Sequence, residues 1–331
     1  MLTELENRAR AWVAGPSPWS NVYGLARTLV ALGTGGTLAF SDATTLFRPA
    51  PGIPEAPVCE GVRAASFFCV FPTGWLEVAR WAAVLLLLVV ASGWRPRFTG
   101  LLHWWVAVSI PWSATLTDGG DQIAAILALL MLPLALTDER RWHWDAPPAS
   151  TGNDEAKRLI ARSSWVMLRL QVAGIYFHAS VGKFKVAEWV DGTAVYYWLL
   201  DPSVGAPDWL ARLMLPILSS PAVALVTWSV LLLELGLSLG PLLNPSLRRV
   251  LLPLGMSFHL GIAVFHGLIS FVLVMFGALI LLLRPFDEAF RFEGLRAWLR
   301  HMRTPSVSAA ATPSLEPIAV QAVSVPPTDG A

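Results

Sequence analysis

Charge is what this chain has least of. Asp, Glu, Lys and Arg make up 14% of its 331 residues, while 55% are Ala, Val, Ile, Leu, Met, Phe, Trp, Tyr or Cys; an ordinary soluble domain carries roughly 25% charge. A globule of this size needs a polar skin, so the shortage argues against a water-soluble fold and makes lipid much of the solvent. An excess of either sign is also missing. The 24 basic residues face 23 acidic ones, which removes the electrostatic case for a nucleic-acid binder. The first 22 residues contain no apolar core, so no removable signal peptide is expected. There is no internal repeat at the period of solenoids or propellers.

What is present is a series of apolar runs. A membrane helix needs about 20 mainly apolar residues, and eight segments qualify: roughly 23–41, 75–92, 101–117, 120–136, 163–182, 222–240, 250–266 and 268–284. A further apolar stretch at 208–218 is too short to cross. With the N-terminus inside, Arg8, Arg10, Arg95, Arg97, Arg140, Arg141, Lys157, Arg158, Arg162, Arg248, Arg249 and Arg284 fall on one side, with the tail arginines. Only Arg48, Arg63, Lys183, Lys185 and Arg212 fall on the other. This positive-inside bias predicts an all-α polytopic membrane bundle of about eight spans, with 208–218 re-entrant or interfacial and both termini cytoplasmic. Residues 1–22 read as a cytoplasmic amphipathic segment, with Thr3 and Glu6 at capping-box spacing and Leu2, Leu5, Ala9, Trp12 and Val13 on one stripe. Residues 23–290 form the bundle, and 291–331 a cytoplasmic, largely disordered tail. Most of the 16 tryptophans lie near span ends, as in an interfacial aromatic belt.

Cys59 and Cys69 are the only cysteines, and they share the Pro-rich outward loop 42–74. On the oxidising side of a membrane that spacing predicts a local structural disulfide; a redox-active pair is the alternative.

Ionisable side chains inside a span mark a functional-site hypothesis. Arg162, Arg169, Tyr176 and Lys183 recur every seven residues, so they form one stripe that drifts only about 20° per step. It climbs about 31 Å from Arg162 to Lys183. Glu234, with Thr227 and Ser238 on its face, is placed by residue counting about 18 Å below the outer surface. That depth matches Arg169 and predicts that the two neutralise one another or a shared neighbour. His259 and His266 are seven apart, too far for one ion, so no metal site is expected. Asp118-Gly-Gly-Asp121 sits at the outer surface ahead of an apolar helix, where Asp121 is expected to cap it and a role in binding a cation or polar substrate is the alternative. Glu77 and Arg80 are placed as an intrahelical pair. Lys183 and Lys185 stand outside, against the orientation bias. Near a low-dielectric cavity, a lysine can serve as a base.

The run Tyr176-Phe-His-Ala-Ser-Val-Gly-Lys183, followed by Glu188-Trp189, Gly192-Thr-Ala194 and Tyr196-Tyr-Trp198, resembles the signature of bacterial sporulation-delaying protein B and its relatives. These belong to the horizontally transferred transmembrane domain family, with the membrane portion of vitamin K-dependent gamma-carboxylase. The resemblance extends over about residues 20–290 through Asp118-Gly-Gly-Asp-Gln-Ile123, Glu234 to Pro241, Arg248-Arg249 and Phe258-His259. It implies a bacterial plasma-membrane protein that acts in maturation or export of a secreted antimicrobial peptide toxin, with a precursor peptide and a small partner protein as partners. The carboxylase branch implies an alternative: a reduced quinone as cofactor, Lys183 as the base, and His266 or Tyr176 assisting. The spacing from Lys183 to Trp189 is one residue longer than that branch's pattern, and a gapless alignment puts Phe184 at the base position. A non-catalytic carrier or immunity scaffold built on Arg169, Glu234 and His259 is the third reading.

Overall fold

The computed structural model describes residues 2–53, 56–147 and 154–290. All regular structure among them is helical: α1 (Leu2–Ala14), α2 (Asn21–Phe40), α3 (Ala43–Leu46), α4 (Leu76–Ser92), α5 (Pro96–Ser113), α6 (Gly119–Leu136), α7 (Glu155–Lys183), α8 (Ala187–Val190), α9 (Ala194–Leu200), α10 (Asp208–Leu218), α11 (Ala222–Ser238), α12 (Pro245–His266) and α13 (Ile269–Leu283). Each of the eight apolar segments coincides with a helix. Three stretches, Thr73–Ser92, α6 and α12, are long and apolar enough to cross a membrane by length and composition, and α10 with α11 makes a fourth if the bent pair counts as one. The others miss that measure for visible reasons. Helix α13 has only 15 residues, and Arg169, Gln171 and His178 interrupt the apolar stretch of α7. The predicted tail, 291–331, lies outside the described residues.

Local chemistry sets the helix ends. Helix α6 is closed by a reciprocal capping box: the Asp121 N–H donates to Asp118 Oδ1 at 2.9 Å, and the Asp118 N–H to Asp121 Oδ2 at 3.2 Å. The cap is therefore Asp118. Asp121 is the third residue of the helix, because two glycines can start the first turn without a side chain to place. Helix α12 starts on Asn244, whose Oδ1 accepts from the Leu247 N–H at 2.9 Å, with Pro245 in its first turn. It stops at Gly267, φ 71°, the left-handed position that favours glycine. Thr3 is not a cap: α1 already includes Leu2, and Glu6 instead pairs with Arg10 at 2.8 Å.

Two apolar cores share α2. Val22, Tyr23, Ala26 and Val30 pack with α6, α7 and α13, while Ala31 and Leu38 pack with α4, α5 and the loop before α4. Gly277 allows the close α2–α13 approach, since a Cβ there would meet the Ala26 carbonyl oxygen at 2.9 Å. That loop is tied by the Cys59–Cys69 disulfide. It lays Phe67 and Phe68 onto α5, where the Phe67 N–H donates to Ser109 Oγ at 2.8 Å and Phe67 meets Trp105 edge-on. Arg80 joins Glu77 at 2.7 Å and donates to the Leu38 carbonyl at 2.5 Å, which fixes α4 to the end of α2.

Candidate functional site

Helices α7, α11, α12 and α13 bring together the polar residues that apolar burial cannot explain. Tyr176, 2% exposed, and His259, also 2% exposed, meet across α7 and α12 with the phenol oxygen 2.8 Å from Nε2. The imidazole lies against the rings of Phe258 and Phe271, with centroids at 4.9 and 5.6 Å. Its Nδ1 has no hydrogen-bond partner among the described residues. Two turns further along α7, Lys183 Nζ donates to both carboxylate oxygens of Glu234, each at 2.7 Å. The ammonium also sits 5.2 Å from the Trp189 ring centre, a cation–π distance. The two pairs are linked through α7, where Tyr176 and Lys183 stand two turns apart. The Lys183 side chain is 23% exposed and that of Glu234 7%, so the lysine is the more open partner of its pair.

The expected partnership of Arg169 with Glu234 does not form. Arg169 donates instead to the carbonyls of Leu281 at 3.4 Å and Arg284 at 3.2 Å, closing the C-terminal end of α13. Counting Cα heights misled here because helical side chains lean toward the N-terminus. Lys183 reaches back down α7, touching the Ala179 carbonyl at 3.3 Å, and so meets Glu234 well below its own Cα. Arg162, at the N-terminal end of the same stripe, holds the Pro16 carbonyl at 2.6 Å and lies over Trp12.

His266 does not join Tyr176 or Lys183 through any hydrogen bond among the described residues. Its Nδ1 meets the Val204 carbonyl at 2.7 Å, and its ring faces Trp198 edge-on. It thus ties the end of α12 to the segment 184–221. Asp118 and Asp121 are occupied in the capping box. Among the described residues no group of three His, Cys, Asp or Glu side chains could hold a metal ion.

Sequence reasoning overlooked a second buried polar cluster. Arg27 of α2, 1% exposed, donates to Thr99 Oγ1 at 2.6 Å and approaches His143 Nδ1 at 3.4 Å. His143 Nε2 lies 3.3 Å from Thr28 Oγ1. Beside them Arg140 and Asp138 form a buried pair at 2.8 Å, and Arg140 also holds the His143 and Asp145 carbonyls at 2.9 Å. Burial, then the charges of Arg27 and Arg140, push the His143 imidazole well below the usual histidine range. The available signal was Arg27-Thr28 inside an apolar run, an intramembrane charge of the kind that calls for a named partner.

The chain was compared with known proteins, and no family model matches it. Uncharacterized protein YitO of Bacillus subtilis strain 168 is 39% identical over 285 residues, which is 86% of this chain and 91% of that protein. Sporulation-delaying protein SdpB of the same strain is 36% identical over 287 residues, covering 85% and 87% of the two chains. The chain belongs to the SdpB family. No solved structure matches this SdpB family member. Family membership and the apolar helices together make it a helical membrane protein.

Proposed function

We propose that this SdpB family member acts in the maturation or export of a secreted antimicrobial peptide toxin, as an eight-span plasma-membrane protein with both termini cytoplasmic. The observation that carries this reading is the similarity to a sporulation-delaying protein over 85% of the chain. The site supports it. The Lys183–Glu234 pair and the Tyr176–His259 pair make one polar layer inside an apolar bundle, and Lys183 is its most exposed member. Positive-inside topology puts that end, the disulfide loop and the segment 184–221 on the outer side, where a secreted precursor peptide and a small partner protein would meet them. Deletion of the gene in a producing strain tests the reading. The secreted peptide is expected to lose its processed, active form, read by mass and by growth inhibition of sensitive cells; a fully processed and active peptide overturns it.

A second reading, the carboxylase-like one, is favoured by a single observation. The buried, unpartnered His259 Nδ1 offers a polar contact of the kind that would suit a reduced quinone, which when bound would supply reducing equivalents. In that reading His259 holds the quinone. Lys183 becomes a base only after its proton passes to Glu234, 2.7 Å away. Full turnover of Lys183→Ala with a reduced quinone would end it.

A further inference from the structure

Helix α10 is joined to α11 by a break of only a few residues and a bend of 102°. Its 11 residues span about 16 Å, half the roughly 30 Å of a hydrocarbon core. If α11 crosses the membrane, a helix at nearly a right angle to it lies close to the membrane plane.

The distribution of side chains around α10 says what covers it. The stripe Leu210, Met214 and Leu218, spaced by four, faces the protein: Leu210 is buried, and Met214 and Leu218 pack with Leu199 and Val223. At 100° per residue, the neighbouring quadrant carries Trp209, Leu213, Pro216 and Ile217. These are apolar yet open: Trp209 is 67% exposed, Leu213 62% and Ile217 43%. On the far side of the wheel sit Asp208 and Arg212, with Leu215 beside them, all exposed. The apolar arc is therefore wider than the protein covers. A charged ridge lies opposite it, and a tryptophan is at its edge, the side chain that settles at headgroup level.

We infer that α10 is an interfacial helix whose Trp209–Leu213–Ile217 face is buried in the lipid of the outer leaflet, with Asp208 and Arg212 turned to water. The occupant is lipid rather than a second protein because a helix at nearly a right angle to a crossing helix runs along the membrane surface, and because the charges lie opposite the apolar arc, as in interfacial amphipathic helices. Seated in this way, α10 anchors the turn at 201–207, whose Val204 carbonyl holds His266 and whose Asp201 accepts from the Ser203 N–H at 2.7 Å. The lipid surface thereby braces the segment 184–221. The inference rests on the proposed topology in placing this face in the outer leaflet.

The described residues contain no free cysteine, so single cysteines introduced at Asp208, Trp209, Arg212, Leu213 and Ile217 can be probed in intact cells, with Leu210→Cys as the protein-facing control. A membrane-impermeant maleimide added outside is expected to label Asp208→Cys and Arg212→Cys about tenfold faster than the other three. A fluorophore at Trp209→Cys, Leu213→Cys or Ile217→Cys is expected to be quenched by lipids bearing a nitroxide on the acyl chain, and one at Leu210→Cys by neither reagent. Uniform labelling without the helical period, quenching that deepens steadily along the helix, or a lipid-shielded face that lipid nitroxides also fail to reach would overturn the inference. Labelling of the correct period that appears only when reagent is admitted to the cytoplasm leaves the interfacial seat intact and overturns the outer-leaflet assignment, which separates a failure of topology from a failure of the helix.

Discussion

Opposite charges 2.7 Å apart at one end of an apolar bundle attract strongly because little water separates them, yet each would be costly alone. Glu234→Ala leaves the Lys183 ammonium without its carboxylate. It is expected to lower stability by about 2–3 kcal/mol, less than for a fully buried pair because Lys183 is partly exposed. The double substitution Lys183→Met with Glu234→Met removes both charges and is expected to recover most of that loss. Thermal unfolding in detergent checks both, and equal losses in the single and double variants would contradict the pairing. His143 gives a pH dependence of known sign. Its folded value lies well below the ordinary 6.5, so the unfolded chain binds more protons as the medium is acidified. The stabilisation is complete above about pH 6.5 and is lost as pH falls toward the folded value. The melting temperature is expected to fall on that acid limb, with a shallower slope in His143→Gln; equal slopes would show that another group controls it.

Helix ends show the same physics on a longer scale. Gly93 ends α4 at φ 88°, where any Cβ is strained, and a Cβ there would also collide with the His143 imidazole. Gly93→Ala is expected to cost about 2 kcal/mol or more, since strain and overpacking add. It should also loosen the 137–145 segment, read as faster amide exchange around His143; unchanged exchange would show that the segment does not depend on this close approach. Helix α7 shows how an element distributes roles along one stripe. Its N-terminal arginines, Arg158 and Arg162, tie down the carbonyls of 13–16, Arg169 closes α13, and only Tyr176 and Lys183 enter the polar layer. One heptad spacing thus served three structural jobs, because residues seven apart share a face but stand about 10 Å apart in height and meet different neighbours.

For the whole molecule, orientation is set by where the scarce charges lie. Cysteines placed at Arg97 and Arg141 are expected to react with a membrane-impermeant maleimide only after permeabilisation, and one placed at Arg48 without it; the reverse pattern would invert the topology. Much of the architecture was legible in the chain itself. Apolar runs of the right length require helices in lipid, and the breaks at Gly93 to Arg97 and Pro241 to Arg249 separate them. Cys59 and Cys69 were also readable, as neighbours with no other possible partner within the chain. The membership of the polar layer was not. Periodicity tells which residues share a face of one helix, but not how far a flexible side chain reaches or which helix stands opposite. Glu234 therefore took Lys183 rather than the expected Arg169, His259 took Tyr176, and His266 went to the Val204 carbonyl. Arg27 and His143, 116 residues apart, are brought together only by the packing of α2 against the ends of α4 and α5. Sequence alone determined that this chain folds as helices in lipid and which residues are too polar for it; tertiary structure decided how those residues are paired, because pairing depends on side-chain reach and on contacts between helices distant in the chain.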